Sequence, residues 1–199
     1  MIDDLDLSLE KLLRTGLPSG LAAQVGITFA TPDHDFPPTS QTLPAIDLFL
    51  FDLRENTELH RPDPVVRIDG TARQRRPSVR LDCSYLITAW AGSASATQVR
   101  DEHRMLSEVA LVLAAYRELP AAVRAGAIAG QELPPPVTAL DNGRFGNVAE
   151  LWQALGGRPR PALLYTVTLA LAATPEADLG PVVKYPEASI HLITGPGEH

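Results

Sequence analysis

Val79-Arg80-Leu81-Asp82-Cys83-Ser84-Tyr85-Leu86-Ile87-Thr88-Ala89-Trp90 is the stretch on which the fold turns. Val79, Leu81, Cys83, Tyr85, Ile87 and Ala89 alternate with Arg80, Asp82, Ser84, Leu86 and Thr88. Successive side chains of a strand point to opposite faces, so this period of two predicts a strand over 79–90 with one buried face. A loop of small residues, 91–97, leads from it into a 3.6-residue pattern. The stripe Leu106, Val109, Ala110, Leu113 and Tyr116 predicts a helix over about 98–117, ended near Pro120.

Upstream lies Ile46-Asp47-Leu48-Phe49-Leu50-Phe51-Asp52-Leu53, apolar at nearly every position, as suits a central strand covered on both faces. Between the two strands, 65–68 and 71–76 flank Asp69-Gly70. That dipeptide in a two-residue gap predicts a type I′ hairpin, with polar, arginine-rich arms that project. Ile2, Leu5, Leu9, Leu12 and Leu13 mark an amphipathic helix over 2–15. Its early aspartates and late Lys11 and Arg14 complement the helix dipole, and Gly16 is the expected stop. Residues 25–30 read as a short strand, followed by a proline-rich loop from Pro32 to Pro44.

In the second half, Asn147 and Glu150 form a capping-box arrangement for a helix over 147–155, stopped at Gly156-Gly157. Leu163 to Leu171 alternates again and predicts a strand; 188–193 reads as a final strand or an arm. Helix, strands, hairpin, strand, helix, helix, strand is the order of an α+β fold, a mixed, largely antiparallel sheet flanked by helices. Strict βαβ alternation is missing, which argues against a doubly wound sheet. A chain of 199 residues fits a single domain, placed at 1–180, with a C-terminal arm at 181–199.

The net charge of −7 disfavours a nucleic-acid partner, because an acidic protein repels phosphate. One cysteine permits no internal disulfide. Met1-Ile2-Asp3-Asp4 carries no basic and apolar leader pattern, and no apolar run approaches the ~20 residues that span a bilayer. The expectation is a cytoplasmic protein during its assembly, with no membrane partner.

Few residues suggest chemistry. Asp33-His34-Asp35 has metal-ligand types, but neighbours on an extended segment diverge, so a solvated loop is the preferred reading. Glu102-His103 resembles an acid/base pair, yet adjacent helical residues do not face each other; His103 is expected to be a packed, hydrogen-bonded structural histidine. Cys83 falls on the inward face and reads as a small hydrophobe. Ser84 and Ser107 lack a nucleophile-elbow motif. Gly126–Gly130 and Gly143–Gly146 read as turns, not phosphate loops. Arg73, Arg75 and Arg76 form the one dense basic cluster, and a solvated hairpin or a docking site for an acidic neighbour fits them better than nucleic acid. Trp90 and Trp152 suit either core or interface. No cofactor and no catalytic constellation is expected.

Five blocks, in order, resemble the cap, or tail-terminator, family of extracellular contractile injection systems. They are Met1 to Leu5 with its helix; Leu43 to Asn56, a strand running into Arg54-Glu55-Asn56; Arg75-Arg76-Pro77 on through Leu81 to Trp90; Asp101 to Leu106; and Ala149 to Gly157 leading into Tyr165-Thr166-Val167-Thr168-Leu169. The resemblance covers roughly residues 1–172; it implies that longer members carry a C-terminal extension, which is not expected in this chain. It implies a phage tail-terminator-like fold and a non-enzymatic role: a homo-oligomeric ring, expected to be a hexamer, at the end of an inner tube and contractile sheath, stopping growth and coupling sheath to tube. A closed ring uses two different patches of one chain. The expected projecting elements are the hairpin, with Asp69, Arg73, Arg75 and Arg76, and the arm 186–199, with Ile190 and Leu192 able to add a strand to a sheath subunit. The competing readings are a small metal-dependent hydrolase using Glu102-His103 and Asp33-His34-Asp35, and an assembly chaperone or adaptor that leaves before maturation.

Overall fold

The computed structural model describes residues 1–33, 36–37, 42–58, 65–68, 71–74, 79–92, 97–131, 133–140, 148–171 and 177–181; for 65–68, 71–74 and 177–181 the backbone alone is described. The chain divides into two compact units, Met1–His60 with Ser78–Ala172, and Arg61–Pro77 with Ala173–His199.

The first unit is built on a five-stranded sheet of order β1-β2-β5-β7-β6. β1 (Gly26–Thr28) runs parallel to β2 (Ala45–Glu55). β5 (Val79–Trp90), β7 (Leu163–Leu171) and β6 (Val137–Ala139) continue antiparallel. The sheet is therefore mixed and largely antiparallel, and the α+β expectation holds.

Both faces of the central strand are covered, where the alternation predicted one. On one face Cys83, Tyr85 and Ile87 pack with Leu48, Val167 and Leu169 in the main core. α1 (Ile2–Gly16) and α3 (Gln98–Ala114) close that core with Leu5, Leu9, Leu12, Leu13, Leu106 and Val109. On the other face, α5 (Val148–Ala154) sets Trp152 against Leu86 and Leu164. Farther along that face the buried groups are polar and satisfy one another. Ser84 and Thr166 hydroxyls lie 3.1 Å apart, and the Asp82 carboxylate accepts from Asn56 Nδ2 at 3.0 and 3.1 Å and from Thr168 Oγ1. Serines and threonines that look solvated in the sequence form this paired polar floor, as buried hydroxyls must.

α1 ends at Gly16 without a left-handed residue, since Leu17 is extended. Its glycine answers a different need: a Cβ there would stand 2.5 Å from Val112 Cγ1 of α3. Gly16→Val is expected to lower stability by about 2 kcal/mol through overpacking, whereas Gly20→Ala, with open space around it, should leave the melting temperature within a degree or two. Equal melting of both variants in a thermal scan would remove this account of Gly16. At Gly156, by contrast, φ is +68°, the left-handed stop that glycine supplies after α5.

α3 buries Met105, Leu106, Val109, Val112 and Leu113. Tyr116, predicted on that stripe, falls beyond the last turn and is 40% exposed. Three short helical pieces complete the unit: α2 (Ser19–Gln24) and a 3-10 turn at Ala121–Val123, in stretches to which the sequence assigns no element, and α4 (Gly126–Ala129), where the glycines predict a turn.

The second unit is a three-stranded antiparallel sheet of order β3-β4-β8. β3 (Val65–Ile68) and β4 (Thr71–Gln74) form the expected hairpin, with Ile68 opposite Thr71 across the two-residue gap. β8 (Ala177–Pro181) joins β4 and was not legible, because Gly180 and Pro181 suppress a strand reading. Asp69, Gly70, Asn147 and 188–193 lie outside the described residues.

Candidate interaction surface

A groove of about 650 Å³ opens at the end of the five-stranded sheet, between α2 and α3. Leu21, Leu43 and Met105 give it an apolar lining, and Asp101, Arg104 and Glu108 line it from α3. A second hollow of about 360 Å³ shares Pro18 and Glu108 with it and runs on past Leu111 and Tyr116. Leu111 is 69% exposed, so an apolar side chain stands open to solvent beside this depression.

The groove wall is held by a buried anchor. Glu102, 7% exposed, turns inward from the first turns of α3. Its Oε1 accepts from the Ala91 backbone N–H at 3.3 Å, Gln98 Nε2 at 3.2 Å and Arg160 Nη2 at 3.2 Å. The Arg160 guanidinium lies 3.9 Å above the Trp90 ring, a cation–π stack. Trp90 in turn donates to Thr88 Oγ1 at 2.8 Å and tilts against Phe36, centroid to centroid 4.4 Å. One carboxylate thus ties the end of β5, the start of α3 and the segment before β7 together. Glu102→Gln keeps an oxygen for Ala91 and removes the charge that faces Arg160. It is expected to lower stability by about 2 kcal/mol, the scale of a partly buried charge-assisted contact. A double-mutant cycle with Arg160→Gln checks this, and a coupling of zero would mean that the pair stabilises nothing.

This geometry decides between the sequence readings of Asp101-Glu102-His103. The Glu102 carboxylate points into the anchor, while His103 is exposed, so the expectation of a packed structural histidine is corrected. Its position lies one residue off the buried stripe, on the solvent side of α3. No group of three metal-ligand types converges among the described residues. Asp33 is described, but His34 and Asp35 lie outside. Cys83 is buried, and desolvation, the dominant cause, pushes its thiol up to about 12, so it is a packing residue without nucleophilic character at neutral pH. Tyr85 reaches across to α1 and donates to Asp6 Oδ1 at 2.7 Å; burial first and the neighbouring carboxylate second hold its hydroxyl protonated.

Of the interface residues expected from the sequence, Arg73 stands on β4 opposite Val66 and, on the other side, Asp178. Asp69, Arg75, Arg76, Ile190 and Leu192 lie outside the described residues. The groove and its anchor were missed. Arg160 sits in a proline-flanked stretch, Arg158-Pro159-Arg160-Pro161, that reads as a plain loop, and no local pattern links it to Glu102 or Trp90. Trp152 resolves to core and Trp90 to the anchor.

Comparison with known proteins agrees with this architecture. The model of a family described as the Pvc16 N-terminal domain matches residues 4–184. No curated protein matches the chain. Among solved structures, it is similar to the sheath/tube terminator, in the extended state, of the extracellular contractile injection system PVC, at 22% identity and a TM-score of 0.66 over 99% of this chain and 65% of that one. It is also similar to the tube-terminating cap of the anti-feeding prophage, at 24% identity and a TM-score of 0.65 over 95% of this chain and 61% of that one. The chain therefore spans just under two thirds of the length of these structures, and the likeness establishes a shared fold.

Proposed function

The chain belongs to the Pvc16 N-terminal domain family, and from that premise we propose that it is a structural cap that ends the inner tube and sheath of a phage-tail-like contractile injection particle. The observation that carries the reading is the breadth of the match: the family model spans 4–184, and the fold of the terminator structures is followed over nearly the whole chain. On this reading the protein forms a closed ring, with about six copies as in the expectation from resemblance, limits the length of the tube, and couples the last sheath ring to it. Closure requires two different patches on each copy. The arginine-rich hairpin and the C-terminal arm 181–199 are the elements we assign to reach neighbours, the rest of the chain to about 180 forming the cap domain.

The role is non-enzymatic. Its support is the commitment of Glu102 to Arg160 and the Ala91 N–H, which leaves the Glu102-His103 pair without the geometry of an acid/base couple. Particle assembly occurs in the producing cell, and the finished particle carries the cap. Among the described residues no helix is long and apolar enough to cross a membrane.

The experiment is assembly with and without the protein. Particles made in its absence should show a broad distribution of tube lengths in electron micrographs, narrowed again when it is supplied. Light scattering of the purified protein, alone and with co-expressed tube protein, should give a ring mass in at least one condition. A chain that stays monomeric in both, with tube lengths indifferent to its presence, would overturn the cap reading.

A further inference from the structure

The geometry points to the groove between α2 and α3 as the seat for the arginine-rich β3–β4 hairpin of a second copy of this chain, the two being the unlike patches of one head-to-tail contact. This rests on the ring proposed above and adds which surfaces meet.

Charge selects the occupant. Residues 61–77 hold five arginines against two aspartates, a balance of +3, which leaves −10 for the remainder of a chain whose total is −7. A basic hairpin on an acidic body is drawn to other copies of that body, with a range set by the Debye length. Shape and polarity then select the place. The hairpin carries Val65, Val66 and Ile68 on its first strand with Arg67 among them. The groove pairs an apolar lining of Leu21, Leu43 and Met105 with a net negative rim on α3, where the carboxylates of Asp101 and Glu108 stand against the single guanidinium of Arg104. Two strands of four residues form a ribbon about 13 Å long and about 5 Å between strand axes, a size that a groove of about 650 Å³ with a further hollow beside it accommodates. Seating it would also cover Leu111, whose exposure is otherwise a penalty of open apolar surface.

Within the hairpin, Arg67 is the arginine to test. Its register neighbour on β4 is Ala72, whereas Arg73 stands opposite Asp178 of β8. On α3, Glu108 is the matching choice, because it lines both hollows.

The test is a charge-swap cycle read by light scattering, at a concentration where the unaltered chain forms its ring, alone or with co-expressed tube protein. Arg67→Glu and Glu108→Arg should each weaken assembly about tenfold or more. The combination should restore it, and raising salt to about 0.5 M should weaken the unaltered ring and leave the swapped one with the same dependence. Circular dichroism on each variant confirms folding, and the milder Arg67→Gln, expected to give a smaller loss in the same direction, replaces any variant that fails to fold. Variants that assemble as the unaltered chain does, or a combination that restores nothing, would overturn the inference while the ring stands. A lowered melting temperature with unchanged mass would also overturn it, since the contact would then lie within one chain. An unaltered chain that never forms a ring removes the cap reading itself, which is a separate outcome.

Discussion

Asp47→Asn melts about 10 °C above the unaltered chain at pH 8 and within about 4 °C of it at pH 5. Asp47 sits on β2 between Thr28 of β1 and Thr88 of β5, with no exposure to solvent. Its Oδ1 accepts from the Ala30 N–H at 3.0 Å, and its Oδ2 is buried with no partner among the described residues. The opposing Thr88 Oγ1 accepts from the Trp90 indole N–H at 2.8 Å. Burial is the dominant cause that raises this carboxyl from 3.8 to about 8, against a smaller opposing effect of the Ala30 hydrogen bond. The unfolded chain releases the proton near pH 4 and the folded chain near pH 8. Below both values the group is neutral in either state and exacts nothing. Between them each pH unit removes about 1.4 kcal/mol from the folded state, and above the folded value the loss is constant. Asparagine keeps the oxygen for Ala30 and has no proton to lose, so it recovers about 5 kcal/mol at pH 8, or about 10 °C for a chain of this size. Thermal scans from pH 5 to 9 check this. Parallel curves for the two proteins would show that Asp47 is not held neutral by the fold.

The second large effect is on the opposite layer. Trp152→Ala should lower stability by about 4 kcal/mol, at the upper end of large-to-small core changes. The indole is 2% exposed and anchors the smaller core with Leu86 and Leu164, with Phe49 and Leu151 packed around it. The fit is close on its far side too, where a Cβ on Gly157 would stand 3.1 Å from the ring. The indole Nε1 is buried without a partner among the described residues, so Trp152→Phe loses no hydrogen bond to them and should retain most of the stability. Chemical denaturation measures both. If the alanine variant unfolds at the denaturant midpoint of the unaltered chain, α5 does not close this face.

That second layer shows where the sequence runs out. The long strands were legible because a period of two, sustained over 79–90 and 163–171, is a local signal. The amphipathic helix at the N-terminus and the hairpin register were legible for the same reason. Coverage of the second face was not, because Ser84, Thr166 and Thr168 become interior only when β5 and β7 bring their hydroxyls together. Alternation with polar residues reads as solvent until that pairing is known. β6 has three residues and β8 carries a glycine and a proline, too little pattern for any periodicity argument. The anchor behind the groove joins positions 91, 98, 102 and 160, and no spacing rule connects the last to the others. Gly16 was read as a stop when its role is clearance for Val112, a requirement set by another helix.

The strand order has a consequence for how the chain is made. β5 lies between β2 and β7, yet its pairs with β7 run from Ile87↔Leu163 to Val79↔Leu171. During synthesis β2 and β5 emerge early and are able to zip together, but one whole edge of β5 then waits for a segment some eighty residues downstream. At ribosomal speeds of ~5–20 residues per second, that wait is on the order of 4–16 s. An apolar strand edge left open for seconds is the kind that captures foreign strands. Translation pauses placed between codons 90 and 163 would lengthen that exposure and should lower soluble yield, whereas pauses after 171 should not.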